Sequence, residues 1–250
     1  MMAETPFPRR HVAECASTND LARAWAADAT DPAPHGALVT ADFQTRGRGR
    51  RGRVWDATAG ESALMSFVMR SPIAPADAWH LGFVAALAVA DALETFGLEP
   101  RLKWPNDVLV DGNKIAGVLV ETVSGPPERA AIVGIGLNVN QAEFAGEESF
   151  LHPPTSLCLA TGQEWAVESV IEGVATALAA RVAEWEAQGI APVLVAWRQT
   201  LASGVALRRG AQTAFLTNIA DNGSAHVRLE DGTFAQWASV EGEEGANRVQ

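Results

Sequence analysis

Only two cysteines, Cys15 and Cys158, occur in the 250 residues, and no CxxC spacing relates them. A disulfide framework and a cysteine zinc site are therefore not expected, and both thiols are read as packing groups. Histidine is as sparse: His11, His35, His80, His152 and His226 are scattered, without metal-site spacing or an evident nucleophile partner. Metal-ligand and triad chemistry are both set aside on that ground. Long apolar runs are missing too. The greasiest stretch, Leu81–Ala90, is interrupted by Gly82 and falls well short of the roughly 18 to 20 residues a spanning helix needs. The first eleven residues hold Pro6, Pro8 and Arg9-Arg10 but no apolar signal core. A soluble, cytoplasmic protein without a membrane partner is expected. Positive charge is scarce as well: 19 Lys and Arg against 30 Asp and Glu leave a net charge of −11, which argues against general binding of DNA or RNA.

Against that scarcity, Arg46–Arg53 reads RGRGRRGR, five arginines in eight residues with no acid among them. Gly47, Gly49 and Gly52 lack Cβ atoms, so this backbone can wrap closely round a ligand. The guanidinium forks suit carboxylate and phosphate oxygens. A solvated basic loop is the plainer reading, but strand-like runs at Ala37–Phe43 and Ala63–Met69 hold the stretch on both sides. A clamp for a small polyanion is the reading we carry forward.

The rest of the chain alternates strands and helices. After a short strand near His11–Cys15, Ser17-Thr18-Asn19-Asp20 is a helix start, whose side chains either cap the helix or read a polar ligand. Asp77–Phe96 is a long core helix stopped by Gly97. In Arg101–Val110, Pro105 has no N–H to donate, which predicts a strand break gathering Lys103, Asn106 and Asp107. Asp111-Gly112 predicts a hairpin turn, which Asn113 could lengthen, and the return strand Lys114–Glu121 carries Gly117, where a missing side chain marks close approach. Lys114 is either solvated or turned to a ligand. Asn138, ending the strand Ala131–Asn140, is either a turn former or an amide able to read adenine. A polar loop over 141–154, helices over Trp165–Gln188 and from Pro192, and four short strand-like runs between Val205 and Val240 complete the chain. Residues 1–203 are read as one large domain and 204–250 as a small β-barrel-like one with a frayed tail.

Taken together, STN at 17–19, QxxGRGRRGRxW at 44–55, KWPND at 103–107, KIAGVLVE at 114–121, GIGLNVN at 134–140 and TSL at 155–157 resemble bacterial biotin protein ligase. The resemblance runs from about residue 12 to 160. It implies an α+β fold: a mixed β-sheet flanked by helices, like class II synthetases and biotin/lipoate ligases, then a small SH3-like C-terminal domain. It also implies a two-step reaction with Mg²⁺ and ATP, through biotinyl-5'-AMP, onto a lysine of the biotin carboxyl carrier domain of a carboxylase.

The site residues the resemblance implies fall into two groups. Ser17, Thr18, Asn19, Gln44 and Gly117 face biotin; Gly47, Arg48, Gly49, Arg50 and Lys114 hold the biotin end and the adenylate phosphate, with Arg50 and Lys114 nearest the chemistry. Arg53, Trp55, Lys103, Asn106, Asp107 and Asn138 complete the ATP side. No residue is assigned as a metal ligand. Only sixteen residues precede Ser17, so a ligase without a repressor's helix-turn-helix domain is expected, as a monomer or weak homodimer. A lipoate or octanoate ligase of the same fold is the nearest alternative. A non-catalytic biotin or nucleotide sensor and an RNA-binding module are the others.

Overall fold

The computed structural model describes residues 7–70, 74, 77–123, 130–144 and 151–238. Its centre is a seven-stranded sheet in the order β1-β2-β3-β7-β6-β5-β4, built from Arg9–Cys15 (β1), Ala37–Gln44 (β2), Ser62–Met69 (β3), Arg101–Lys103 (β4), Asp107–Val110 (β5), Asn113–Val123 (β6) and Ala130–Asn138 (β7). Only β1 and β2 run parallel, joined through helix Thr18–Ala26 (α1); the other pairings are antiparallel. The mixed sheet expected from the sequence is thus present.

Period-two alternation sorts each strand between two apolar layers. On β2, Leu38 joins the large core, while Ala37 and Val39 face a smaller cluster with Ala22, Trp25 and Ala26 of α1. The large core lies against Trp79–Thr95 (α2), whose middle is buried all round, and against Val167–Gln188 (α4) and Ile190–Gln199 (α5). Many α2 side chains are Ala, Gly or Val, small enough for the helix to sit close to both sheet and α4. Trp197 of α5 stacks on Phe83 at 4.3 Å between ring centroids and donates its indole N–H to the Phe83 carbonyl at 2.9 Å.

Three local outcomes differ from the sequence expectations. The strand break expected at Pro105 is present, but the chain also reverses there: β4 and β5 pair antiparallel, with Lys103 opposite Asp107, across a cis Trp104–Pro105 peptide. Helix α2 begins two residues after Asp77, with Ala78 at its N-cap and no side-chain capping bond. A short helix at Leu157–Thr161 (α3), whose Ser156 side chain accepts the Leu159 N–H at 3.2 Å, was not anticipated. The turn at Asp111-Gly112 is of two residues, both at positive φ (50° and 79°), as a tight hairpin requires.

After α5, Ala206–Arg209 (β8), Gln212–Ile219 (β9), Ala225–Leu229 (β10) and Phe234–Trp237 (β11) form an antiparallel sheet in the order β11-β10-β9-β8. Its Leu207, Leu216, Ile219, Val227 and Trp237 belong to the same apolar core as α2 and Trp104. Part of the expected 141–154 loop and the expected frayed tail lie outside the described residues. Among the described residues no helix is long and apolar enough to cross a membrane.

Candidate active site

The site occupies the α1 face of the sheet. Cross-strand register sets Lys103, Asp107, Gly117 and Gly136 in one row over β4, β5, β6 and β7, and places Leu119, Gly134 and Ser66 in the next. Two glycines make this floor usable. A Cβ at Gly136 would stand 2.5 Å from the Trp55 indole, and one at Gly134 would stand 2.3 Å from Asn19 Oδ1. Neither could be accommodated without displacing a ring or an amide, so glycine lets Trp55 and α1 come down onto the strands. The resulting cavity has a volume of about 190 Å³ and is bounded by α1, the arginine-rich loop, β4–β7 and residues 151–154.

One end is neutral and polar. Ser17 is the α1 N-cap, in extended conformation, yet its buried side chain makes no capping bond and lines the cavity. The capping alternative is thereby removed for Ser17. Thr18 donates its backbone N–H to Gln44 Oε1 at 2.7 Å, which occupies the amide oxygen and leaves Gln44 Nε2 as a donor. Asn19 is braced on both sides: its Nδ2 donates to Glu121 Oε2 at 2.7 Å, and its Oδ1 accepts from the Ser66 hydroxyl at 2.6 Å.

The other end is cationic. Asp107, with a side chain 7% exposed, lies between Lys114 at 2.6 Å and Lys103 at 2.8 Å. Burial alone would raise its pKa, but the ammonium groups of Lys114 and then Lys103 hold the carboxyl well below the usual range. Lys114 Nζ also stands 5.5 Å from the centre of the Trp55 ring. Arg50 and Arg53 line the same cavity from the loop. That loop closes as a small excursion: Gly49 N donates to Arg53 O at 2.7 Å, Trp55 N donates to Gly47 O at 3.0 Å, and Arg50–Gly52 make one 3-10 turn.

Every site residue named from the sequence lines this cavity except Gly47, which is buried under the Trp55 carbonyl. Arg48 reaches the cavity but is already engaged. It forms a two-pronged bond to Asp20 (2.8 and 2.7 Å) and meets Glu121 at 3.4 Å. The hydrogen bond from Arg48 in turn lowers the Asp20 pKa. Asn106 gives its Nδ2–H to the Val118 carbonyl at 2.5 Å and so ties β6 to the start of β5. Asn138 donates to Thr155 O at 2.9 Å, while among the described residues its buried Oδ1 has no hydrogen-bond partner, and neither has the buried Trp55 Nε1. Both residues line the cavity, so an unmet acceptor and an unmet donor lie within its wall.

Sequence reasoning missed Ser66 and Glu121, which set the Asn19 amide, and Arg23, which binds Glu121 at 3.0 Å. Ser66 had a signal: it is a hydroxyl inside the apolar run Ala63–Met69. Glu121 ends the KIAGVLVE stretch but gave no sign of its partner 102 residues away.

With this geometry in place, the class follows. The sequence profile of the biotin/lipoate A/B protein ligase family matches residues 13–138, and the chain belongs to that family. The biotin–[acetyl-CoA-carboxylase] ligase of Paracoccus denitrificans is 43% identical over 166 residues, 64% of this chain and 69% of that protein. The bifunctional ligase/repressor BirA of Bacillus spizizenii is 34% identical over 187 residues, 74% of this chain, but the match spans only 57% of its length. In structure, the Aquifex aeolicus biotin protein ligase in complex with biotin and ATP superposes with a TM-score of 0.76 at 28% identity, covering 93% of this chain and 96% of that one.

Proposed function

We propose that this chain is an ATP-dependent biotin protein ligase. A biotin carboxylate oxygen attacks the α-phosphorus of ATP, the bond to pyrophosphate breaks, and biotinyl-5'-AMP forms. The ε-amine of an acceptor lysine then attacks the acyl carbon, loses a proton and expels AMP. The observation that carries the reading is a single cavity with a neutral hydrogen-bonding end at Ser17, Thr18 and Gln44 and a cationic end at Arg50, Arg53, Lys103 and Lys114. Both reactants of the first step are anions that repel in water. A site that fixes cations beforehand brings them together and stabilises charge building on the phosphate.

In this reading Ser17, Thr18 and Gln44 hold the ureido head of biotin, which offers both donors and an acceptor, and Asn19 acts as their brace. The biotin ring lies on Gly117 beside Trp55. Arg50 and Lys114 contact the reacting carboxyl and phosphate, with Gly49 allowing the loop close approach. Arg53, Lys103 and Asp107 serve the polyphosphate, and Asn138 Oδ1 accepts from the adenine amino group. Arg48 secures the loop to α1. Mg²⁺ enters as the counter-ion of the ATP phosphates: among the described residues no group of three His, Cys, Asp or Glu is placed to hold a metal. The acceptor is a biotin carboxyl carrier domain in the cytoplasm, the chain acts as a monomer or weak homodimer, and residues 1–203 and 204–250 are its catalytic and C-terminal units.

A lipoate or octanoate substrate would leave the Ser17, Thr18 and Gln44 groups facing a dithiolane or an alkyl end, a loss for buried polar groups. The test is mass spectrometry after incubation with Mg²⁺-ATP and equal amounts of biotin, lipoate and octanoate. Biotinyl-5'-AMP alone is expected; lipoyl- or octanoyl-adenylate, or no adenylate, would overturn the proposal.

A further inference from the structure

Glu121 does not line the cavity, yet it shares a face of β6 with Gly117 and Leu119, which do. Its Oε2 accepts from Asn19 Nδ2 at 2.7 Å and from Arg23 Nη2 at 3.0 Å, and meets Arg48 Nη2 at 3.4 Å. The two arginine side chains are 41% and 37% exposed, and ion pairs open to solvent add little stability. The Asn19 contact is different in kind, because it leads inward. Asn19, Ser66 and Thr18 are all buried, so each polar proton among them needs an acceptor close by.

A carboxylate only accepts hydrogen bonds, so Glu121 fixes the Asn19 amide with Nδ2 toward itself and Oδ1 toward Ser66. The Asn19 oxygen in turn requires the Ser66 proton, across 2.6 Å. A hydroxyl has a single proton, and with it committed Ser66 Oγ is left as an acceptor toward Thr18 Oγ1, 2.8 Å away. The Thr18 proton then goes to Ser66 Oγ or to Gln44 Oε1 at 3.0 Å, and in both cases the hydroxyl turns only lone pairs to the cavity. Gln44 Oε1 also holds the Thr18 backbone N–H, which leaves Nε2 as the Gln44 donor. Reversing the Asn19 amide inverts this order. Ser66 would then accept from Nδ2, pass its own proton to Thr18 Oγ1 and fill the lone pair there.

We infer that Glu121 is a positioning residue that sets the hydrogen-bond polarity of the neutral end of the cavity, making Thr18 an acceptor and Gln44 a donor toward the ligand. The inference deepens the ligase reading and rests on it for the ligand. A ureido group, with N–H donors on either side of a carbonyl acceptor, complements that pairing. A head group without N–H donors gains nothing from it.

The experiment measures the Kd of biotin by calorimetry on the full chain, for wild type, Glu121→Gln, Arg23→Gln and the double variant Asn19→Asp with Glu121→Gln. Glutamine keeps the shape of Glu121 but presents either a donor or an acceptor, which releases the Asn19 amide to reverse. Glu121→Gln should bind biotin about three- to tenfold more weakly, the range of one hydrogen bond. Arg23→Gln removes an ion pair to Glu121 and leaves the amide chain alone, so biotin should stay within about twofold of wild type. In the double variant the amide and the carboxylate exchange places. The new carboxylate accepts from Ser66 as Asn19 Oδ1 does, the new amide donates to it, and biotin affinity should return to within about twofold of wild type. The Kd of α,β-methylene-ATP with Mg²⁺ should stay within about twofold throughout. Unchanged biotin affinity in Glu121→Gln overturns the inference, as does an equal loss in Arg23→Gln, a parallel loss of nucleotide affinity, or a folded double variant no tighter than Glu121→Gln. If the double variant does not fold, the two single variants decide. A wild type that binds no biotin overturns the inference together with the ligase reading, whereas one that binds biotin confines any failure to Glu121.

Discussion

Replacing Asp107 with Asn tests the centre of the cationic cluster. The substitution keeps shape but leaves the Lys103 and Lys114 ammonium groups, 2.8 and 2.6 Å from the carboxylate, without a shared counter-charge. At an effective dielectric of about 20, each contact contributes roughly 6 kcal/mol of gross attraction. Desolvation offsets most of this, and removing one partner of a buried pair costs about 3–5 kcal/mol net. The lysine side chains are 13% and 28% exposed and can regain water, which places the loss near the low end, about 3 kcal/mol. For a chain of this size that is a fall in Tm of about 6–12 °C. Calorimetric melts at pH 7 read it directly. The sign with pH also follows, because the folded carboxyl titrates below the unfolded one. Its stabilisation is full above about pH 5 and is lost as pH falls below about 4 toward the folded value, so the gap between wild type and variant narrows in acid. A variant melting within about 2 °C of wild type at pH 7, or a gap that widens below pH 4, would refute the argument.

Three further substitutions separate ligand contacts from structural ones. Ser17→Ala should leave Tm within about 1 °C, because no capping bond is lost, while weakening biotin about three- to tenfold by calorimetry. A drop in Tm with unchanged biotin affinity would return Ser17 to a capping role. Gly136→Ala forces the Trp55 ring off the floor and should slow biotin-dependent pyrophosphate release about 10- to 100-fold; a wild-type rate would show that the ring's position is immaterial. Arg50→Ala and Lys114→Ala should each slow adenylate formation by about 10²–10³, a far larger effect than on melting, and normal adenylate formation in either would remove its assigned role.

Strands, helices and the hairpin turn were legible because their signals are local. Alternating apolar residues fix which face a strand buries, and Asp111-Gly112 fixes a reversal with two residues at positive φ. The motif residues were legible as a set because each lies within one short stretch that the fold delivers to one cavity. Neighbour relations were not. Trp104 and Gly223 are 119 residues apart and Asn19 and Glu121 are 102 apart, and no period in either segment encodes the pairing. Pro105 told of an ended ladder, since it lacks a donor, but not that the chain turns back on itself to put Lys103 opposite Asp107.

Arg48 shows most clearly what a count of charges leaves out. In the sequence it is one of five equivalent cations, and the loop reads as a uniformly positive clamp. In the fold its guanidinium is matched by Asp20 and Glu121, so it adds little to the field inside the cavity and instead fixes where the loop sits. The carboxylates that neutralise it lie on α1 and β6, 28 and 73 residues away in sequence. Lys103 and Lys114 share the single Asp107, so that cluster keeps a net positive charge beside the cavity. Charge at the site is therefore selected by tertiary pairing, and the cations free to meet an incoming phosphate are those whose acidic partners are outnumbered.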